Sequence, residues 1–187
     1  MVKKKSIDIW FEAAFNLFAE IGPEALNVKT LSEACGLPRS NFYYHFTDKE
    51  ELIDQLLDYH MKNAAQTMLY ELENNFNNYI PDFYDILAKN EQSLRFHWQL
   101  FKNRDNIKYN QIFYYLRKRN SKLIIPKVID YYQLGLPTSV IETIWDTLND
   151  AWLASLDLND LSSKSMGKKA DDIMRSILRF TKYQHLT

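Results

Sequence analysis

The run Leu31-Ser-Glu-Ala-Cys-Gly-Leu-Pro-Arg-Ser-Asn-Phe-Tyr-Tyr-His-Phe46, continued by Thr47-Asp-Lys-Glu-Glu-Leu52, constrains this chain more than any other segment. It reads as two short helices about a turn at Gly36, then a cap that starts a third helix. Gly36-Leu37-Pro38 supplies the turn, and Pro38 is tolerated where a helix begins. The second short helix carries Arg39, Ser40, Asn41, Tyr43, Tyr44 and His45, all able to touch a phosphate or a base edge. A helix-turn-helix needs this combination of a tight turn and a polar-aromatic second helix sized for the major groove. Phe42 and Phe46 fall between the polar positions and are expected in the core.

The flanking segments give the same reading. Ile7, Phe11, Ala14, Phe15, Phe18 and Ile21 recur at helical spacing, and Gly22-Pro23 ends that helix. Asn27 is placed to cap a helix from Val28 to about Cys35, with Val28, Leu31 and Ala34 on one face. Asp48, with Glu51 three residues on, resembles a capping box that opens a fourth helix. Leu52, Leu56 and Tyr59 continue its stripe to about Asn75, where Asn74-Asn-Phe-Asn-Asn78 and Pro81 mark a break. Further helices are predicted over 81–89, 91–104, 107–133, 138–156 and 166–184. Pro126 is expected to kink or split the longest of them. Strand-like alternation is missing, and 4 Gly and 5 Pro in 187 residues favour long helices. The expected fold is all-α, with about nine helices.

Charge does little to select a partner. The formal net charge is −1, and six cations face seven anions in the first fifty residues. Any attraction to nucleic acid therefore rests on where the cations sit, at the amino terminus (Lys3, Lys4, Lys5) and at helix starts (Lys29, Arg39, Lys49), rather than on their sum. One cysteine, Cys35, rules out an internal disulfide framework and suits a reducing cytosol. Asp8 and Glu12 interrupt any apolar run behind the lysines, so a signal peptide is not expected, and no stretch reaches membrane-spanning length. A cytoplasmic location follows as an expectation. Enzyme chemistry finds no foothold: His60 and His97 lack partners at metal-ligand spacing, and no nucleophile elbow or phosphate-binding glycine loop is present. No catalytic residue, metal or cofactor is predicted.

Residues 7–52 resemble the amino-terminal domain of the TetR family of transcriptional regulators. The resemblance is carried by Ala14, Leu17-Phe18, Gly22, Leu31, Ala34, Gly36, Arg39, Phe42-Tyr43-Tyr44-His45-Phe46 and Asp48-Lys49-Glu50-Glu51-Leu52. Pro38 stands where the family commonly has Ser, and Asn41 where Thr is usual. The resemblance implies a DNA-binding domain over residues 1–48 and a helical effector-binding and dimerisation domain over 49–187, joined by the long fourth helix. It implies DNA contacts from Lys29, Arg39, Ser40, Asn41, Tyr43, Tyr44, His45 and Lys49. It also implies a homodimer built on the last two helices. Their apolar stripes hold Ile141, Trp145, Leu148 and Trp152 on one, and Ile173, Ile177 and Phe180 on the other. A small-molecule effector and a repressor released from a near-palindromic operator complete the expectation. The alternative is a helical small-molecule-binding or protein-interaction module without DNA-binding function.

Overall fold

The computed structural model describes residues 5–183, with the side chains of Ala64 and of residues 180–183 outside that description. Lys3, Lys4 and the side chain of Phe180, singled out above, therefore lie outside the described residues. Ten α-helices are present among the described residues: α1 Ser6–Glu20, α2 Val28–Cys35, α3 Arg39–His45, α4 Lys49–Lys62, α5 Ala64–Asn74, α6 Asp82–Lys89, α7 Glu91–Lys102, α8 Ile107–Tyr132, α9 Thr138–Ala154 and α10 Ser163–Tyr183. A 3-10 turn, Pro23–Ala25, links α1 to α2. The chain is all-α, as expected.

One expectation about the helices needs correction. The stretch predicted as one helix from Asp48 to about Asn75 is two, α4 and α5, separated at Asn63. The Asn63 side-chain amide donates to the Tyr59 carbonyl at 2.9 Å, occupying an acceptor of the last turn. Apolar spacing persists on both sides of Asn63, so periodicity alone did not reveal the interruption. Pro126 does not split its helix, because α8 runs through it.

The helices collect into two compact units. One gathers the chain up to Thr67 with Gln92–Leu116; the other gathers Met68–Glu91 with the chain from Arg117 onward.

In the first unit, α1 packs on α2, α3 and α4. Trp10, Ala14, Phe18, Leu31, Phe42, Leu52 and Leu56 are fully buried there, and Phe46 nearly so. Ala34, expected beside Leu31, is instead exposed. Phe96 of α7 stacks on Phe18 and on His60, each with ring centroids 4.2 Å apart, and on Phe15 at 4.9 Å. Offset aromatic contacts of this kind add to burial and fix ring orientation. They make α7 part of the same core as α1 and α4.

In the second unit, α10 packs on α9 and α6. Trp145 donates its indole N–H to Ser121 Oγ at 2.9 Å, and Trp152 donates to the Met166 carbonyl at 3.1 Å. The hydroxyls of Tyr79 and Tyr84 share a hydrogen bond at 2.7 Å. Burial pushes both phenols above their ordinary range. The Arg117 guanidinium, almost fully buried, meets Asp150 at 2.7 Å and Asp146 at 3.0 Å. A buried cation demands such partners. Among the described residues no helix is long and apolar enough to cross a membrane.

Candidate nucleic-acid interface

Local chemistry sets the two ends of the turn between α2 and α3. Asn27 accepts the Thr30 N–H at 2.9 Å and fixes where α2 begins. Gly36 ends it in the left-handed region, φ 68°, a conformation that costs a side-chain-bearing residue energy. The Ser32 hydroxyl donates to the Leu37 carbonyl at 2.6 Å and holds the turn from inside.

The short α3 then separates its two faces. Phe42 is fully buried against Trp10, the rings edge to face at 5.4 Å. Phe46, beyond the last turn, packs on Phe11 at 5.7 Å. With those rings anchored, Arg39, Ser40, Tyr43 and Tyr44 are left exposed, Tyr43 to 62% and Tyr44 to 81%. Exposure on this scale is unusual for tyrosine, whose ring commonly gains from burial. Lys29 is exposed on α2, and Lys49 is half-exposed at the first position of α4.

Asn41 and His45 sit differently from the other six expected contacts. The Trp10 indole N–H donates to Asn41 Oδ1 at 2.9 Å. His45 Nε2 shares a hydrogen bond with Ser6 Oγ at 2.7 Å. Both side chains thus tie α3 back to α1. Reading adenine in two-pronged fashion requires the carboxamide oxygen as well as the nitrogen, and in this arrangement the oxygen of Asn41 is engaged. Sequence reasoning missed Trp10 and Ser6 as supports of α3. Nothing local marks a partner 31 or 39 positions away.

The start of α4 also differs in detail from a simple anion-binding helix end. Asp48 Oδ1 accepts the Glu51 N–H at 2.9 Å, and Glu51 Oε2 accepts the Thr47 N–H at 2.7 Å. The box is therefore closed, with the glutamate reaching one residue before the cap. Those bonds to Thr47 hold the Glu51 carboxyl below its ordinary range. The Glu51 amide, which an uncapped helix start would offer to a phosphate, is already satisfied, and the ammonium of Lys49 is the cation at this turn.

Residues 11–56 match the family model of the bacterial regulatory proteins of the tetR family. The chain carries a TetR-family amino-terminal domain. The HTH-type transcriptional repressor KstR2 of Mycobacterium tuberculosis is 39% identical to this chain over 46 residues, 25% of this chain and 23% of that protein. The chain thus matches under a quarter of the length of that curated relative. Solved structures extend the likeness in fold well beyond the TetR-family domain. A protein from Saccharomonospora viridis, described as a transcriptional regulator and solved in complex with choline, superposes with a TM-score of 0.63 at 15% identity, covering 90% of this chain and 94% of its own. The TetR family regulator PfmR of Thermus thermophilus gives 0.60 at 18% identity, covering 89% and 97%. A transcriptional regulator from Aquifex aeolicus gives 0.54 at 16%, covering 92% and 98%.

Proposed function

We propose that this protein is a homodimeric transcriptional repressor that reads a near-palindromic operator through α3 and leaves it when a small molecule binds the helices beyond residue 48. The observation that carries the reading is the division of α3 into a buried aromatic side and an exposed polar side, inside a domain that matches the TetR family. Arg39 and Ser40, at the amino end of the helix, face base edges. Tyr43, Tyr44, Lys29 and Lys49 set register on phosphates, and Asn41 and His45 add donors while bracing the helix. Two such heads on successive major grooves lie about 34 Å apart, which a two-fold dimer provides and a monomer does not.

The repressor KstR2 supports the sign of regulation, and a choline complex in a protein of the same fold supports a small-molecule effector. An effector weakens operator binding only through its preference for a conformation whose heads mismatch the site.

Operator binding tests the proposal. Each phosphate neutralised contributes about 0.9 to the slope of log affinity against log salt. Lys49→Ala, altered in both heads, is expected to reduce that slope by about 2 while weakening all sequences alike. Tyr43→Ala is expected to weaken binding as well. A genomic-fragment selection on the folded dimer supplies the operator. Unchanged affinity and slope in both variants would overturn the contacts, and failure to select any fragment would favour a helical binding module without DNA function.

A further inference from the structure

His45 closes α3, and its two ring nitrogens have different surroundings. Nε2 lies 2.7 Å from Ser6 Oγ, in the first turn of α1. Nδ1 makes no hydrogen bond among the described residues and is not shut away from water. The nitrogens of an imidazole point roughly opposite ways, so a ring held against α1 by Nε2 turns Nδ1 away from it. The ring also lies edge to face with the exposed ring of Tyr44 at 4.9 Å. The charged groups on the surrounding segments are Lys5, Asp8 and Glu12 at α1, Lys29 and Glu33 on α2, and Asp48 and Lys49 after α3. None of the carboxylates forms an ion pair with His45 among the described residues. An imidazolium at this position would have no counter-ion within the chain.

A hydroxyl both donates and accepts. Ser6 can donate to Nε2 of a neutral ring, which leaves the ring proton on Nδ1. When a second proton arrives at Nε2, the hydroxyl turns and accepts from it, and Nδ1 keeps its N–H. One contact thus holds the ring in both protonation states, with a donor on the side away from α1 in each. The other neutral form, protonated at Nε2 alone, would present a lone pair there and is disfavoured beside an anion. Protonation therefore changes the charge without moving the ring. Histidine is the side chain that ordinarily changes charge between about pH 5 and 8, and the carboxyl end of a helix favours a cation. A cationic donor open to water suits phosphate oxygens, which the DNA backbone offers whatever its sequence.

We propose that His45 takes up a proton when α3 meets a DNA phosphate, with Ser6 as the residue that positions its ring, so that acidification tightens operator binding. This rests on the DNA-binding role proposed above. The test uses the full chain and the fragment it selects, with affinity measured across salt at about pH 8 and about pH 6. At the lower pH each head neutralises one more phosphate, so the slope of log affinity against log salt is expected to steepen by about 0.9 per head, about 1.8 for a dimer. Affinity at fixed salt is expected to rise about tenfold or more, because a charged donor outdoes a neutral one by about fivefold at each head. His45→Gln keeps a donor but cannot be charged, and is expected to lose both changes. Ser6→Ala is expected to weaken binding several-fold and blunt the steepening, and Ser6→Thr to restore both; melting points near that of the parent show that the variants fold. Should Ser6→Ala fail to fold, the comparison of His45→Gln with the parent still decides. A parent that selects no fragment overturns the DNA-binding reading and this inference with it. A parent that binds with one slope at both pH values, or a steepening that survives His45→Gln, overturns this inference alone. Ser6→Ala behaving as the parent does overturns the part assigned to Ser6.

Discussion

The side-chain oxygen of Asn41 accepts from the Trp10 indole N–H at 2.9 Å. A residue of α3 is thus held from behind by a ring in α1. Trp10→Phe keeps an aromatic ring beside Phe42 but removes the donor and, at a fully buried position, leaves a void, and is expected to cost about 2–3 kcal/mol, of which about 1 is the hydrogen bond. Thermal unfolding checks this, and an unchanged midpoint would mean that neither the bond nor the filled space contributes. Glu51 gives a pH-dependent counterpart. Its carboxyl is held low first by the Thr47 backbone N–H, then by the Thr47 and Gln55 side chains. A folded-state value below the unfolded one means that its contribution is present above the unfolded value and is lost as pH falls through the folded one. Glu51→Gln should therefore lower the melting point at neutral pH and flatten its decline through the acid range; parallel profiles for variant and parent would refute this. The cap itself was legible because Asp48 and Glu51 are three apart. The Trp10–Asn41 and Ser6–His45 ties were not, because apolar and polar periodicities describe one helix at a time.

Among the elements, the turns at Gly22 and Gly36 were legible from their glycines, but the reasons behind them differ. Gly36 has φ 68° with nothing within 4 Å of where a Cβ would stand, so it is required for backbone conformation alone. Gly22 has φ 106°, and a Cβ there would lie 2.8 Å from Gln99 Oε1 on α7. Gly36→Ala is expected to cost about 1 kcal/mol, the scale of a left-handed residue acquiring a side chain. Gly22→Ala meets only the movable end of the Gln99 side chain, but its φ of 106° and ψ of −177° lie in a region essentially reserved for glycine, so it should cost more, about 2–3 kcal/mol. Denaturant unfolding of the pair gives the order, and equal losses would mean that the two backbone conformations cost a side chain alike. Sequence marked Gly22 as a helix stop and gave no sign that α7 packs on it, since the two segments are joined only through the tertiary fold. The break at Asn63 escaped for the opposite reason: the change is local, but the apolar stripe survives it.

For the whole molecule, the apolar stripe on α9 was legible while its partner was not. Ile141, Trp145, Leu148 and Trp152, the residues expected at a dimer interface, are each at most 5% exposed within the single chain. Their burial closes the second unit against its own helices, so they have no surface to give a partner. Ile173 and Ile177 on α10 are only half-buried, on a helix whose Met174 is fully buried. The proposed two-fold contact therefore falls to this outer side of α10. The two sets should respond differently to substitution. Trp145→Ala removes a buried ring and its bond to Ser121, and is expected to lower stability by about 3–5 kcal/mol. Ile177→Lys removes no fully buried group and places a charge where a symmetry mate would bring an identical one. It should leave helical content and the unfolding of the single chain near those of the parent while sedimentation shows the dimer dissociating. A dimer that withstands Ile177→Lys would exclude this side of α10 as the contact, and the head spacing needed for a palindromic site would then have to come from another surface.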